Sequence, residues 1–250
     1  MSVISTKESS LGVKTIVCDL HGEYESEGKS FGSIEFWSPC PECAKELEKK
    51  ENDEKNRAEK MAREKFYKKS GIVKRYWDLT LDSFEPKPNQ EKAHKLAVQF
   101  CARFDEMEKR GQTLVFPGNV GTGKTRLASS IIQTLGFGQY VRAIDISRDV
   151  RATYTNSSNE TEREVVQKYV DKKLLIIDEV GVQMGTDNER ILLTDIIDRR
   201  YGDLHPTIIC SNLNESQLVD VFGERAWSRL KQNYVICPIV GDDLRTGEKK

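Results

Sequence analysis

Five short apolar runs, separated by stretches of helical periodicity, lay out most of the chain. The runs are TLVF (113–116), YVRAIDI (140–146), KLLIID (173–178), TIIC (207–210) and YVICPIV (234–240). Apolar positions three and four apart fill 90–109, 124–135, 161–170, 188–201 and 215–231. Strands that alternate with helices predict crossover connections, hence parallel strands with helices on both faces of a sheet. A run as apolar as LLII suits a strand buried from both sides. The pattern predicts an α/β domain over residues 70–250.

Upstream the pattern changes twice. Residues 44–69, AKELEKKENDEKNRAEKMAREKFYKK, are dominated by charges of alternating sign. Glu46 with Lys49 and Lys50, Glu51 with Lys55, and Glu64 with Lys68 are spaced to pair along an exposed helix. Two readings stand: a solvated linker helix, or a helix that lies on a partner through Leu47, Met61, Ala62 and Phe66. Residues 13–43 are β-like and contain glycine, and GEYESEGKSFGSIEFW reads as a hairpin of alternating positions.

Composition narrows the function classes. The 250 residues carry 39 Lys+Arg against 40 Asp+Glu, a net charge of −1. That balance excludes a uniformly basic nucleic-acid coat and leaves room for a local basic stripe. At roughly 150 residues per domain, the length suits one full domain with a smaller appendage. No apolar run approaches the ~18 residues of a membrane span, and MSVISTKESSLG lacks the charged and apolar regions of a secretory signal. The expectation is a cytoplasmic protein whose six cysteines stay reduced.

The first run of the α/β region leads into Pro117-Gly118-Asn119-Val120-Gly121-Thr122-Gly123-Lys124-Thr125, followed by the helical RLASSIIQTL. This is G-x-x-x-x-G-K-[ST] between strand and helix, the setting in which it binds phosphate. Glycines let successive amide N–H groups turn inward around an anion, and the helix adds its positive end. Lys124 would reach the β- and γ-phosphates of ATP, and the Thr125 hydroxyl would ligate Mg²⁺. The third run delivers Asp178 and Glu179 to the end of a buried strand, where parallel sheets place their ligands. Asp178 suits Mg²⁺, and Glu179 suits an attacking water as base. Asn212, after TIIC, is placed to sense the γ-phosphate. Arg225 and Arg229 in GERAWSRL lie one helical turn apart. They read either as arginines that complete a neighbouring subunit's site or as a surface pair bonded to carboxylates such as Glu224.

Cys18-x-x-His21 and Cys40-Pro41-Glu42-Cys43 are two close ligand pairs with the spacing of a Cys₃His zinc ribbon. A segment so small buries little surface, so metal binding would supply its folding energy. What such a ribbon grips, a partner protein, DNA or the charged helix, is left open by the sequence. Cys101, Cys210 and Cys237 read as core residues. Within SRDVRATYTNSSNETERE, Arg148, Arg151 and Tyr154 form a helical series that offers cations and a ring to single-stranded DNA. A solvated helix is the alternative reading.

GNVGTGKT, LLIIDEVGVQ, DIIDRRYGD, CSNLNESQL and GERAWSRL together resemble, in order and spacing, DnaC-type replicative helicase loaders of the initiator branch of the AAA+ ATPases. SGIVKRYWDLTLDSFEP resembles the segment leading into their ATPase domain. The resemblance covers about residues 70–240. It implies a P-loop NTPase core that assembles side by side, hydrolyses ATP, binds single-stranded DNA and delivers a hexameric helicase. On matching positions Arg229 is the arginine finger with Arg225 its close second, Asn212 the first sensor, and the loop Gln183 to Asn188 a further DNA contact. With only GDDLRTGEKK after the last strand, no full C-terminal lid is expected. The N-terminal region does not resemble the helicase-binding domain of the best-known loader. An IstB-type transposition helper shares the core motifs, and a zinc-dependent DNA-binding regulator is a reading from another class.

Overall fold

The computed structural model describes residues 8–155, 159–181 and 186–244. The chain divides into two compact units, Met1–Lys65 and Phe66–Lys250.

In the first unit β1 (Glu8–Cys18), β2 (Gly22–Phe31) and β3 (Ile34–Trp37) form an antiparallel sheet in that order. The expected hairpin is β2 with β3, turned through Gly32 and Ser33. β1 starts earlier than the pattern suggested, because pairing continues past an irregularity at Ser10/Gly12 to join Ser9 to Ser30. Gly28 is required where the Trp37 ring crosses the sheet, since a Cβ there would stand 2.7 Å from the ring. Lys14 Nζ lies over the same ring, 3.6 Å from its centroid. Among the described residues of this sheet and the turn after it, little is buried besides Ser26, Gly28 and Cys40. Then α1 (Pro41–Ser70) runs as one helix. Leu47 and Met61 are 58% and 72% exposed on it, as alternating charge predicts.

The second unit opens with the last turn of α1, where Tyr67 is buried and Phe66 packs against the core. A short 3₁₀ turn (Lys74–Tyr76), α2 (Glu91–Ala102) and α3 (Phe104–Lys109) follow. Next come β4 (Thr113–Pro117), α4 (Lys124–Leu135), β5 (Gln139–Arg142), α5 (Ala143–Ala152), α6 (Glu162–Val170) and β6 (Leu175–Val180). The rest are α7 (Asp187–Gly202), β7 (Thr207–Ser211), α8 (Glu215–Gln232) and β8 (Tyr234–Ile236). Five parallel strands stand in the order β5-β6-β7-β4-β8. Their alternating side chains feed two cores. Leu114, Phe116, Ile176 and Ile208 face α2 and α4, while Val115, Ile177 and Ile209 face α5 to α8.

Three expectations need correcting. Residues 143–146 are helix, because Ala143, Ile146, Ser147 and Val150 are buried with the spacing of a helix face. The stretch 90–109 is two helices that break at Arg103 (φ −121°, ψ 31°). The last strand ends at Ile236, although Cys237 N and Ile239 N still donate to Val115 and Pro117 carbonyls.

Arg200, in the DIIDRRYGD segment, is fully buried at the start of β7. Its guanidinium donates to the carbonyls of Tyr169, Val170, Lys172 and Pro206 and to Thr207 Oγ1, at 2.5–2.9 Å. Burial draws its pKa down to about 9. One side chain thereby ties α7 to the segments entering β6 and β7.

Candidate nucleotide site and metal centre

Because all five strands of the second unit run the same way, the loops after β4, β6 and β7 gather at one edge of its sheet. The loop after β4 carries residues 118–123 directly into α4. Gly123 caps that helix with a left-handed backbone (φ 92°), and a Cβ there would stand 2.3 Å from Gln90 Nε2. Gln90 Nε2 instead donates to the Thr122 carbonyl at 2.8 Å and braces the loop from outside. Inside the loop, Lys124 Nζ donates to the carbonyls of Gly118 (2.7 Å) and Asn119 (2.5 Å), and Thr122 Oγ1 to Asn119 (2.9 Å). The lysine is thus buried and aimed into the loop by carbonyl dipoles.

β6 lies next to β7, and β7 next to β4, which sets Asp178 beside the first turn of α4. Thr125 Oγ1 donates to Asp178 Oδ2 at 2.7 Å, and the Glu179 amide donates to Oδ1 at 2.8 Å. Asp178 is 3% exposed. At Glu179 the strand slips register against β7 and the backbone turns left-handed (φ 57°), a conformation that costs a non-glycine about 1–3 kcal/mol. The slip turns the Glu179 side chain out of the core while both neighbours stay buried. Strained backbone of this kind clusters at functional sites, although Leu204 (φ 56°) shows it away from this edge of the sheet. Asn212 follows β7 and is exposed.

Lys124, Thr125, Asp178, Glu179 and Asn212 share one cavity of about 450 Å³. Its opposite wall, Tyr76, Trp77 and Leu79, was read in the sequence only as a lead-in segment. Tyr67 pins that wall: its ring stacks on Trp77 (5.1 Å between centroids), and its hydroxyl donates to Asp78 Oδ1 at 3.0 Å. Asp178 also accepts a hydrogen bond from Tyr140, a contact no local motif announces.

The distal arginines lie elsewhere. α8 breaks at Gly223, and the helical stretch beyond it carries both. Arg225 is exposed, whereas Arg229 is 33% exposed and paired with Asp198 of α7. Neither lines the cavity. Among the DNA candidates, Arg148 pairs with Asp145 at 2.9 Å and Arg151 with Glu189. Tyr154 follows the end of α5 and donates to Glu162 Oε2 at 2.9 Å. Each of the three has an acidic neighbour of its own. Residues 183–185 of the loop expected to touch DNA lie outside the described residues.

In the first unit Cys18, His21, Cys40 and Cys43 converge, with one ligand atom from each lying within 4.8 Å of all the others. Cys18 Sγ stands 3.5 Å from Cys43 Sγ. The three sulfurs stand 3.3–3.7 Å from His21 Nδ1. Tetrahedral zinc, with bonds of about 2.3 Å to sulfur and about 2.0–2.1 Å to nitrogen, has edges of ~3.8 and ~3.6 Å. The donor set fits the ion in type and in size. Amides of Leu20 and His21, together with the His21 ring, draw the Cys18 thiol down to about 6. Cys43, hydrogen-bonded to Cys18, is pushed up to about 12. Glu46 Oε1 lies 3.5 Å from His21 Nε2, where the carboxylate partner of a metal-bound imidazole belongs. Cys101, Cys210 and Cys237 stand apart, their thiols pushed up by burial.

A family model described as an IstB-like ATP binding protein matches residues 51–247. The replicative helicase loader DnaC of Escherichia coli (strain K12) is 30% identical over 184 residues, 72% of this chain and 73% of its own. The chain belongs to this AAA+ family of ATP-binding proteins and helicase loaders. A crystal structure of the DnaC helicase loader superimposes with a TM-score of 0.59 at 25% identity, covering 67% of this chain and 99% of that one. The fold is also that of DnaI, at a TM-score of 0.56 and 20% identity over 67% of this chain and 94% of that one. The family span contains the phosphate loop, the acidic pair and the distal arginines, whereas the Cys/His cluster precedes it.

Proposed function

We propose that the protein is an ATP-dependent loader of a hexameric replicative helicase in the bacterial cytoplasm. The reading rests on one observation: a loop lysine, a hydroxyl bonded to a buried aspartate, a strained glutamate and an asparagine share one cavity. Lys124 exchanges two loop carbonyls for the β- and γ-phosphates of ATP. Thr125 and Asp178, oxygen donors already in contact, are the residues that would hold Mg²⁺. The ion spreads the charge of the triphosphate when bound. Glu179 takes the proton of an attacking water as its oxygen bonds to the γ-phosphorus, the β–γ bridge breaks, and ADP leaves with the electron pair. Asn212 orients that water.

Arg229 serves the site of the neighbouring copy, with Arg225 beside it. Asp198 holds one edge of the Arg229 guanidinium while the rest stays reachable. The copies therefore stand side by side. Arg148 and Arg151 meet single-stranded DNA by trading carboxylate partners for phosphates while the Tyr154 ring stacks on a base, so affinity falls steeply with salt. Cys18, His21, Cys40 and Cys43 hold a structural zinc.

The family model's own description favours a second reading, a transposition helper of the IstB type. Affinity purification from source-cell extract with ATP present separates the two. A hexameric ring helicase that is captured by the wild type and lost with Lys124→Ala supports the loader, and a transposase recovered in its place overturns it.

A further inference from the structure

Tyr140 in β5 is packed into the core that contains Leu114, Ile176 and Ile208. Its Cα pairs with Ile176 and that of Arg142 with Asp178, so all four side chains share one face of the sheet. The phenol runs along the strand and donates from its hydroxyl to Asp178 Oδ2 at 2.9 Å. The same oxygen accepts from Thr125 Oγ1 at 2.7 Å, and Oδ1 accepts from the Glu179 amide at 2.8 Å. Tyr140 is 6% exposed. Three donors from three segments thus fix a buried carboxylate in a single orientation.

We infer that the Tyr140 hydroxyl is a positioning group that sets Asp178 for its divalent cation. The inference rests on the nucleotide reading above and deepens it. Without the hydroxyl, Oδ2 would be held only by Thr125, the residue that must itself face the cation. Facing a carboxylate oxygen, the phenol O–H acts as the donor toward Asp178. Groups that orient a metal-binding carboxylate from behind typically change metal affinity by about 10–100-fold when removed.

Tyr140→Phe keeps the ring and removes the donor. In the full chain, the Mg²⁺ concentration giving half-maximal ATP hydrolysis rises about tenfold. Turnover at saturating Mg²⁺ stays within about twofold, and binding of a fluorescent ATP analogue in EDTA is unchanged. Tyr140→Met serves as a second variant should the first prove insoluble, with the same shift expected. A lowered Tm with the wild-type Mg²⁺ midpoint means that the residue only packs, and overturns the inference alone. A wild-type chain that binds no nucleotide, with or without Mg²⁺, overturns the inference and the nucleotide reading together.

Discussion

The two units of this chain solve the same problem in opposite ways. The ATPase unit buries its strands from both sides, and its site is a by-product of that burial. Once β4, β7 and β6 stand adjacent and parallel, Lys124, Asn212 and Asp178 meet at one edge of the sheet. The Cys/His unit has hardly any interior. Val13, Val17, Ile34 and Phe36 are exposed on its sheet, and four ligand atoms lie within 4.8 Å of one another beside it. In one unit packing creates the site; in the other the candidate site stands where packing is sparse.

The sharpest way to break this contrast is to withdraw the metal. Structural zinc contributes on the order of 10 kcal/mol to small domains. Chelation therefore abolishes amide-exchange protection across residues 8–40, while the strands of the ATPase unit keep theirs. Equal protection of residues 8–40 in metal-free protein would contradict it. Next in size are the catalytic losses. Lys124→Ala removes nucleotide binding in a fluorescence titration, and Arg229→Ala lowers steady-state hydrolysis about 10³-fold while leaving nucleotide affinity intact.

Smaller still is Arg200→Met, which leaves its carbonyl acceptors in the ATPase unit unsatisfied. We expect a loss of about 3 kcal/mol in urea unfolding of that unit, with zinc stoichiometry unchanged. A loss within error would show those hydrogen bonds to be dispensable. The mildest is Arg148→Ala, since Asp145 keeps its bidentate partner Arg142. The salt slope of single-stranded DNA affinity should drop by about one, with folding untouched. An unchanged slope would remove Arg148 from the DNA face.

What the sequence disclosed follows the same division between local and distant causes. The phosphate loop and the acidic pair are contiguous strings whose chemistry lies in neighbouring backbone, and the two cysteine pairs announce themselves by spacing. Strand-like AIDI misled because four residues suit alternation as well as a helix face, and only Ser147 and Val150 decide between them. Tyr140, Arg200 and Asp198 were invisible as site or framework residues. Each acts on a partner brought near by sheet order or helix packing rather than by position in the chain. The strain at Glu179 was equally hidden, because it arises from a register slip against a strand that follows much later.

The central claim is that ATP held at Lys124 is cut with an arginine supplied by an adjacent copy. Mixing Lys124→Ala chains with Arg229→Ala chains tests it directly, since each lacks what the other retains. Steady-state hydrolysis of the mixture should rise well above that of either variant alone and peak at an intermediate ratio. Activity that never exceeds the sum of the separate variants, at any ratio and with single-stranded DNA present, would contradict the account.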